Sequence, residues 1–314
     1  MRMVTVSAPG NVILFGEHAV VYGKPSLAGA IDKRTYVTLE GRNDSNISIS
    51  SNMEPYRISF SIDDLGSVEG FPYVRKAIEL AFEHIGKRSG LDIEISSETP
   101  PASGLGSSAS VSIAIVLAIH ETLGIEISEN KLAKLGHKVE LEVQGAASPT
   151  DTATTTFGGV LFIEPDKERW QRIDASLPLV VGYTGIERST KALVEGVRAL
   201  RDKFPEIIDP IISNIGKITT EAKHRIENSE DIGELMNVNH GLLVALGVSN
   251  FKLDSLVYAA REAGASGAKL TGAGGGGCMI AHAPGRQAAV ANAIEKCGCM
   301  AFESVTTTEG VRVE

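Results

Sequence analysis

Glycine and serine are interleaved in PPASGLGSSAS, residues 100–110, between an alternating segment, LDIEISS, and an apolar run, VSIAIVLAI. Glycines allow a backbone to approach an anion closely. If a helix begins after Gly106, the N–H groups of Ser107, Ser108 and Ala109 have no intrahelical acceptors and face whatever lies there. Serine hydroxyls at the same place add ligands for phosphate or magnesium. The same letters also describe a turn with an ordinary serine cap. The segment has neither the GK[ST] of a Walker A loop nor the GxGxxG of a dinucleotide fold, which argues against a P-loop enzyme and a nicotinamide dehydrogenase.

Three further groups could do chemistry. Asp151, in SPTDTATTTFGG, is surrounded by small hydroxyl residues and could orient or deprotonate an attacking hydroxyl; an Asx turn explains it equally simply. Glu140 stands eleven residues earlier beside an apolar helical stripe, able to complete a magnesium site with a serine hydroxyl and phosphate oxygens, or to be a solvated acid like Glu142. Glu17 and His18, in the apolar context VILFGEHAVVYG, could hydrogen-bond a polar substrate or form a satisfied core pair. A second glycine-rich segment, GAKLTGAGGGG (267–277), runs into apolar CMIAHA and reads as a loop against a sheet, close enough to orient a phosphate or substrate.

The elements that must position these groups follow from periodicity. Residues 3–8 read as a strand ending at Pro9-Gly10, and NISIS and YRISFSI as a hairpin or meander. Val74, Ile78, Ala81, Phe82 and Ile85 share one face of a helix over 71–87, and Leu91, Ile93 and Ile95 one face of a strand. From Ser107 to about Leu123 the chain is apolar nearly all round, predicting a central buried helix. A second helix, 128–144, is capped by Ser128 and carries Leu132, Leu135, Val139 and Val143. GAASPTDTATTTFGGVLFI reads as a break leading into a strand. Helices are expected near 189–203, 207–227, 230–247, 251–263 and 285–297, with strands at LPLVVGYTG and 301–313. The mixture points to α+β domains, 1–170 and 171–314, divided in the polar stretch 164–178.

A net charge of −9 without a long basic run argues against a nucleic-acid or anionic-membrane binder. No apolar run is long enough to span a bilayer and no secretory signal is visible, so a cytoplasmic location is expected. Cys278, Cys297 and Cys299 form no CxxC pair and read as free thiols.

Taken together, SAPGNVILFGEHAVVYGKPSLAGAI, PPASGLGSSAS and KLTGAGGGGCMIA resemble, in order, the three motifs of the galactokinase, homoserine kinase, mevalonate kinase and phosphomevalonate kinase superfamily. GEHAVVYG and SPTDTATTTFGG favour its mevalonate kinase branch. The resemblance implies an N-terminal domain like ribosomal protein S5 domain 2, a C-terminal ferredoxin-like domain, and phosphoryl transfer from ATP to a small-molecule hydroxyl, here the 5-hydroxyl of mevalonate. It assigns residues 101–109 (Pro101, Ala102, Ser103, Gly104, Leu105, Gly106, Ser107, Ser108 and Ala109) to ATP, Ser108 and Glu140 to magnesium, Asp151 to catalysis, and Glu17, His18 and Thr190 to the acceptor. A homodimer is expected only at the level of the family. Members acting on phosphomevalonate or on the mevalonate 3-hydroxyl, and a non-catalytic nucleotide sensor, are the alternatives. One departure stands out: mevalonate kinases commonly read APGK, with the lysine near the aspartate, where this chain has Asn11. Lys269 and Arg188 are the replacement cations to look for.

Overall fold

The computed structural model describes residues 3–52, 57–67, 69–100, 104–145, 147–164, 169–187 and 189–314. The chain opens with two long antiparallel strands, β1 (Met3–Phe15) and β2 (Ser26–Arg42). β3 (Asn46–Ser51) and β4 (Arg57–Ser61) pair antiparallel, α1 (Pro72–Ile85) follows, and β5 (Gly90–Ser97) inserts between β2 and β3, parallel to β3. Three helices come next, α2 (Ser107–Leu123), α3 (Glu129–Gln144) and α4 (Thr150–Phe157), then β6 (Val160–Glu164) and β7 (Arg169–Ile173). β6 pairs with the first residues of β2, so β2 serves two neighbours along its length.

β8 (Pro178–Tyr183) starts a second sheet. Helices α5 (Thr190–Lys203), α6 (Pro205–Glu227), α7 (Gly233–Ala245) and α8 (Phe251–Glu262) precede β9 (Gly267–Leu270) and β10 (Cys278–His282). α9 (Gln287–Lys296), β11 (Met300–Val305) and β12 (Arg312–Val313) complete the chain. The second sheet is antiparallel in the order β11-β8-β10-β9, while β12 returns to pair with β1 of the first. β7 straddles residue 170 and belongs to the first sheet by pairing. This two-domain α+β architecture is the expected one. Among the described residues no helix is long and apolar enough to cross a membrane.

The three larger apolar clusters among the described residues hold it together. Alternating residues of the first sheet, among them Val37, Leu39, Ile93 and Ile95, pack against α1 and the apolar α2, with Leu132 and Val139 of α3 behind. The second sheet packs against its own helices through residues such as Leu256, Val257 and Met279. The third core joins the two: Leu14, Phe15, Leu27 and Ile31 of the β1–β2 hairpin meet Leu179, Val181 and Ile280. The hairpin of the first lobe is therefore driven into the second by burial of apolar surface.

Two sequence expectations need correction. β1 does not end at Pro9-Gly10; its register with β2 shifts between Pro9 and Asn11 and the strand continues to Phe15. Proline is tolerated at such a break in the ladder. Residues 150–157 are helical, although five threonines, a preceding proline and a following glycine pair give poor local propensity. Burial of this segment between α2, α3 and β1 overrides it. Thr154 and Thr156 donate to the carbonyls of Thr150 (2.8 Å) and Thr152 (2.7 Å), which satisfies their buried hydroxyls inside the helix.

Candidate active site

α2 begins at Ser107 on Gly106, which has φ 70° and presents no side chain to the Asn11 amide; a Cβ there would overlap Asn11 Nδ2. Gly106 has no side chain with which to cap the helix, and Ser110 N closes the first turn on Gly106 O at 2.9 Å. The amides ahead of it have no acceptor within the helix and carry its positive dipole end. Gly104 to Ala109 of the expected phosphate loop occupy this approach; Pro101, Ala102 and Ser103 lie outside the described residues.

Ser108 Oγ donates to Glu140 Oε1 at 2.8 Å, joining α2 to α3. Glu140 is only 3% exposed, whereas Glu142 is turned to the surface, where Lys76 and Lys138 pair with it. Burial first, and then the negative charge of Asp151, push the Glu140 carboxyl up to about 8, against the hydrogen bond from Ser108. Asp151 stands in the first turn of α4.

The irregularity of β1 fastens both helices. Pro9 O accepts Ser110 Oγ of α2 at 2.8 Å and Thr155 Oγ1 of α4 at 3.2 Å. Asn11 N donates to Leu105 O at 2.9 Å, and Asn11 Nδ2 to Asp151 O (3.4 Å) and Thr155 Oγ1 (3.3 Å). Sequence reasoning missed Pro9, Ser110 and Thr155 as parts of the site; the Pro-Gly inside a strand was the available signal.

At the hairpin tip Glu17 and His18 face the second lobe. The Lys269 ammonium and Asn239 Nδ2 (3.3 Å) donate to the Glu17 carboxylate, and His18 Nε2 lies 2.8 Å from Ala273 O. Burial pushes Glu17 up and Lys269 down, and the opposite charges counter both shifts. Lys269 is therefore engaged by Glu17 rather than placed as a substitute for the lysine missing at Asn11; Arg188 lies outside the described residues. Thr190 is exposed at the start of α5, where the Ser189 hydroxyl accepts from Ala192 N at 3.3 Å.

The second glycine segment faces inward. Gly275 N donates to Val248 O (2.8 Å) and Gly277 N to Ile186 O (2.9 Å), so these amides hold protein carbonyls rather than a ligand. A Cβ at Gly274 would overlap Val248 O.

This arrangement sets a helix N-terminus, able to receive an anion, beside a hydroxyl–carboxyl pair and a second acid. Among the described residues no three His, Cys, Asp or Glu side chains gather around a metal. Ser108 and Glu140 supply two oxygens, and burial beside Asp151 favours the neutral Glu140 carboxyl, whose ionised form a cation would stabilise. That donor set fits a hard cation which takes its remaining ligands from phosphate and water, as magnesium does.

Models described as the GHMP kinases N terminal domain and the GHMP kinases C terminal match residues 72–159 and 221–298, and a galactokinase galactose-binding signature matches 2–40. The mevalonate kinase of Pyrococcus horikoshii is 48% identical across 100% of this chain and 98% of that protein. The crystal structure of Methanococcus jannaschii mevalonate kinase superposes with a TM-score of 0.87 at 32% identity, over 98% of this chain and 99% of that one. The structure of L. major mevalonate kinase in complex with R-mevalonate gives 0.84 at 26% identity, over 97% and 96%. With this agreement in sequence and fold, the chain belongs to the GHMP kinases and, within them, to the mevalonate kinase family.

Proposed function

We propose that this protein transfers the γ-phosphoryl group of ATP to the 5-hydroxyl of mevalonate, in the cytoplasm, with residues 1–170 forming the nucleotide lobe and 171–314 completing the acceptor side. The observation that carries the reading is the convergence of Ser108, Glu140 and Asp151 near the N-terminus of α2, in a chain 48% identical to a mevalonate kinase.

The first-turn amides of α2 hold phosphate oxygens, and the dipole favours their charge. Asp151 accepts the hydrogen bond of the attacking hydroxyl, orients it in line with phosphorus and takes its proton. His18 and Thr190 contact the acceptor. Magnesium, held by Ser108 and Glu140, supplies neutralisation of phosphate charge when bound. Asn11 anchors the backbone of Asp151 and contributes no charge, so positioning carries more of the rate than in relatives with lysine there.

A coupled ADP-release assay over mevalonate, phosphomevalonate, diphosphomevalonate, homoserine and galactose, with mass analysis of the product, tests the reading. Turnover of mevalonate to its 5-phosphate is the expected result; turnover of phosphomevalonate alone refutes the named acceptor. Galactose is included because of the signature over 2–40. Asp151→Asn is expected to lower kcat by about a thousandfold while leaving the fold intact; near-parental turnover removes Asp151 from its role.

A further inference from the structure

The buried pair Lys269–Glu17 has no part in the chemistry above, yet it sits where the two lobes meet. Lys269 is 0% exposed and its ammonium donates to Glu17, to Leu270 O at 2.7 Å and to Ile13 O at 3.5 Å. The second oxygen of Glu17 receives Asn239 Nδ2 from α7 at 3.3 Å. Thr271 adds a clamp beside it, accepting from Ile13 N (3.0 Å) and donating to Ile13 O (2.9 Å). Every one of these bonds except that to Leu270 O crosses between the lobes.

The turn they hold is strained. His18, a side-chain-bearing residue, has φ 59°, and Gly16 before Glu17 has φ 97°. Left-handed backbone at a residue such as histidine persists only when its surroundings over-determine it. Glu17 lies between the two positive-φ residues, and its carboxylate is the handle by which the second lobe grips the turn. A buried ion pair seldom stabilises a fold more than well-packed neutral groups of the same size. Its use here is geometric.

We propose that Lys269 and Glu17 are positioning residues: the pair locks the 16–18 turn in its strained form and so sets the His18 imidazole at the acceptor side of the site. Glu17 acts through His18 rather than by touching the acceptor. The assignment of His18 to the acceptor rests on the function proposed above; the locking of the turn does not.

The test uses Glu17→Gln/Lys269→Met, which removes both charges together and avoids the lone buried charge left by either single change. In the folded double variant, KM for mevalonate is expected to rise by about tenfold with KM for ATP within about twofold. Hydrogen exchange of amides 16–22 is expected to quicken by about tenfold or more, with α2 unchanged. Parental exchange in the turn, or a parental KM for mevalonate beside a loosened turn, overturns the proposal. Should the double variant not fold, Asn239→Leu keeps both charges, removes one donor to Glu17, and reads the same two quantities at about threefold; no change in either overturns the proposal. A parent protein that turns over no mevalonate refutes the substrate reading, and the exchange measurement then decides on the pair by itself.

Discussion

The glycine segments at 104–106 and 272–277 share a composition and differ in where their amides point. The first ends on Gly106, which has no capping side chain, and α2 starts at Ser107 with the positive end of its dipole there. The second is folded under the loop that leads into α5: Gly275 and Gly277 bond to Val248 and Ile186, and Gly275 packs on Leu193. Glycine in the first lets a ligand or the Asn11 amide come near the backbone. Glycine in the second lets one protein segment come near another. A glycine count alone does not separate an anion site from a packing device; the next element does, since only the first segment opens a long helix.

The contrast is broken or sharpened by substitution. Gly274→Ala places a methyl on Val248 O at φ 80°, so a loss of about 3 kcal/mol or more in urea unfolding is expected. A variant as stable as the parent would show that the second loop is not the packed one.

Glu140→Gln tests the open site and has the opposite sign. The folded-state pKa of Glu140 is raised to about 8 from an ordinary value of 4.5. Its neutral form is the favoured one in the fold, so its contribution is full below about pH 4.5 and is lost as pH rises through 8. At pH 9 the ligand-free Gln variant is expected to be about 2 kcal/mol more stable than the parent, with the difference vanishing near pH 4. Equal unfolding curves at pH 9 would refute the burial argument. Turnover falls in the same variant.

The smallest effect concerns ligand binding. If Glu140 holds the magnesium as proposed, binding of magnesium–ATP expels its proton, and affinity is expected to weaken by up to about tenfold per pH unit below 8. Calorimetry in two buffers of different ionisation enthalpy measures the release, close to one proton at pH 7. No buffer dependence would place the cation elsewhere.

Much of the scaffold was legible in the sequence. The stripe Leu132, Leu135, Val139 marked α3, and the apolar circumference of 107–123 marked a helix buried between a sheet and two neighbours. Both follow from local periodicity. α4 and the second half of β1 were not legible, because threonine-rich and Pro-Gly segments have weak local preferences and take their form from burial. Glu140 was readable as a candidate but not separable from Glu142, since both lie on one helix and only the packing of α2 decides which is covered.

The sequence by itself determined which chemical groups exist, their order along the chain, and a glycine-to-helix start of the kind that can receive an anion. Tertiary structure alone decided which of them meet. Ser108 and Glu140 are 32 residues apart, Asn11 and Asp151 are 140, and Glu17 and Lys269 are 252. No periodicity reports across such intervals. These partners are chosen by how two sheets and their helices bury apolar surface, and the polar contacts form where that packing brings them together.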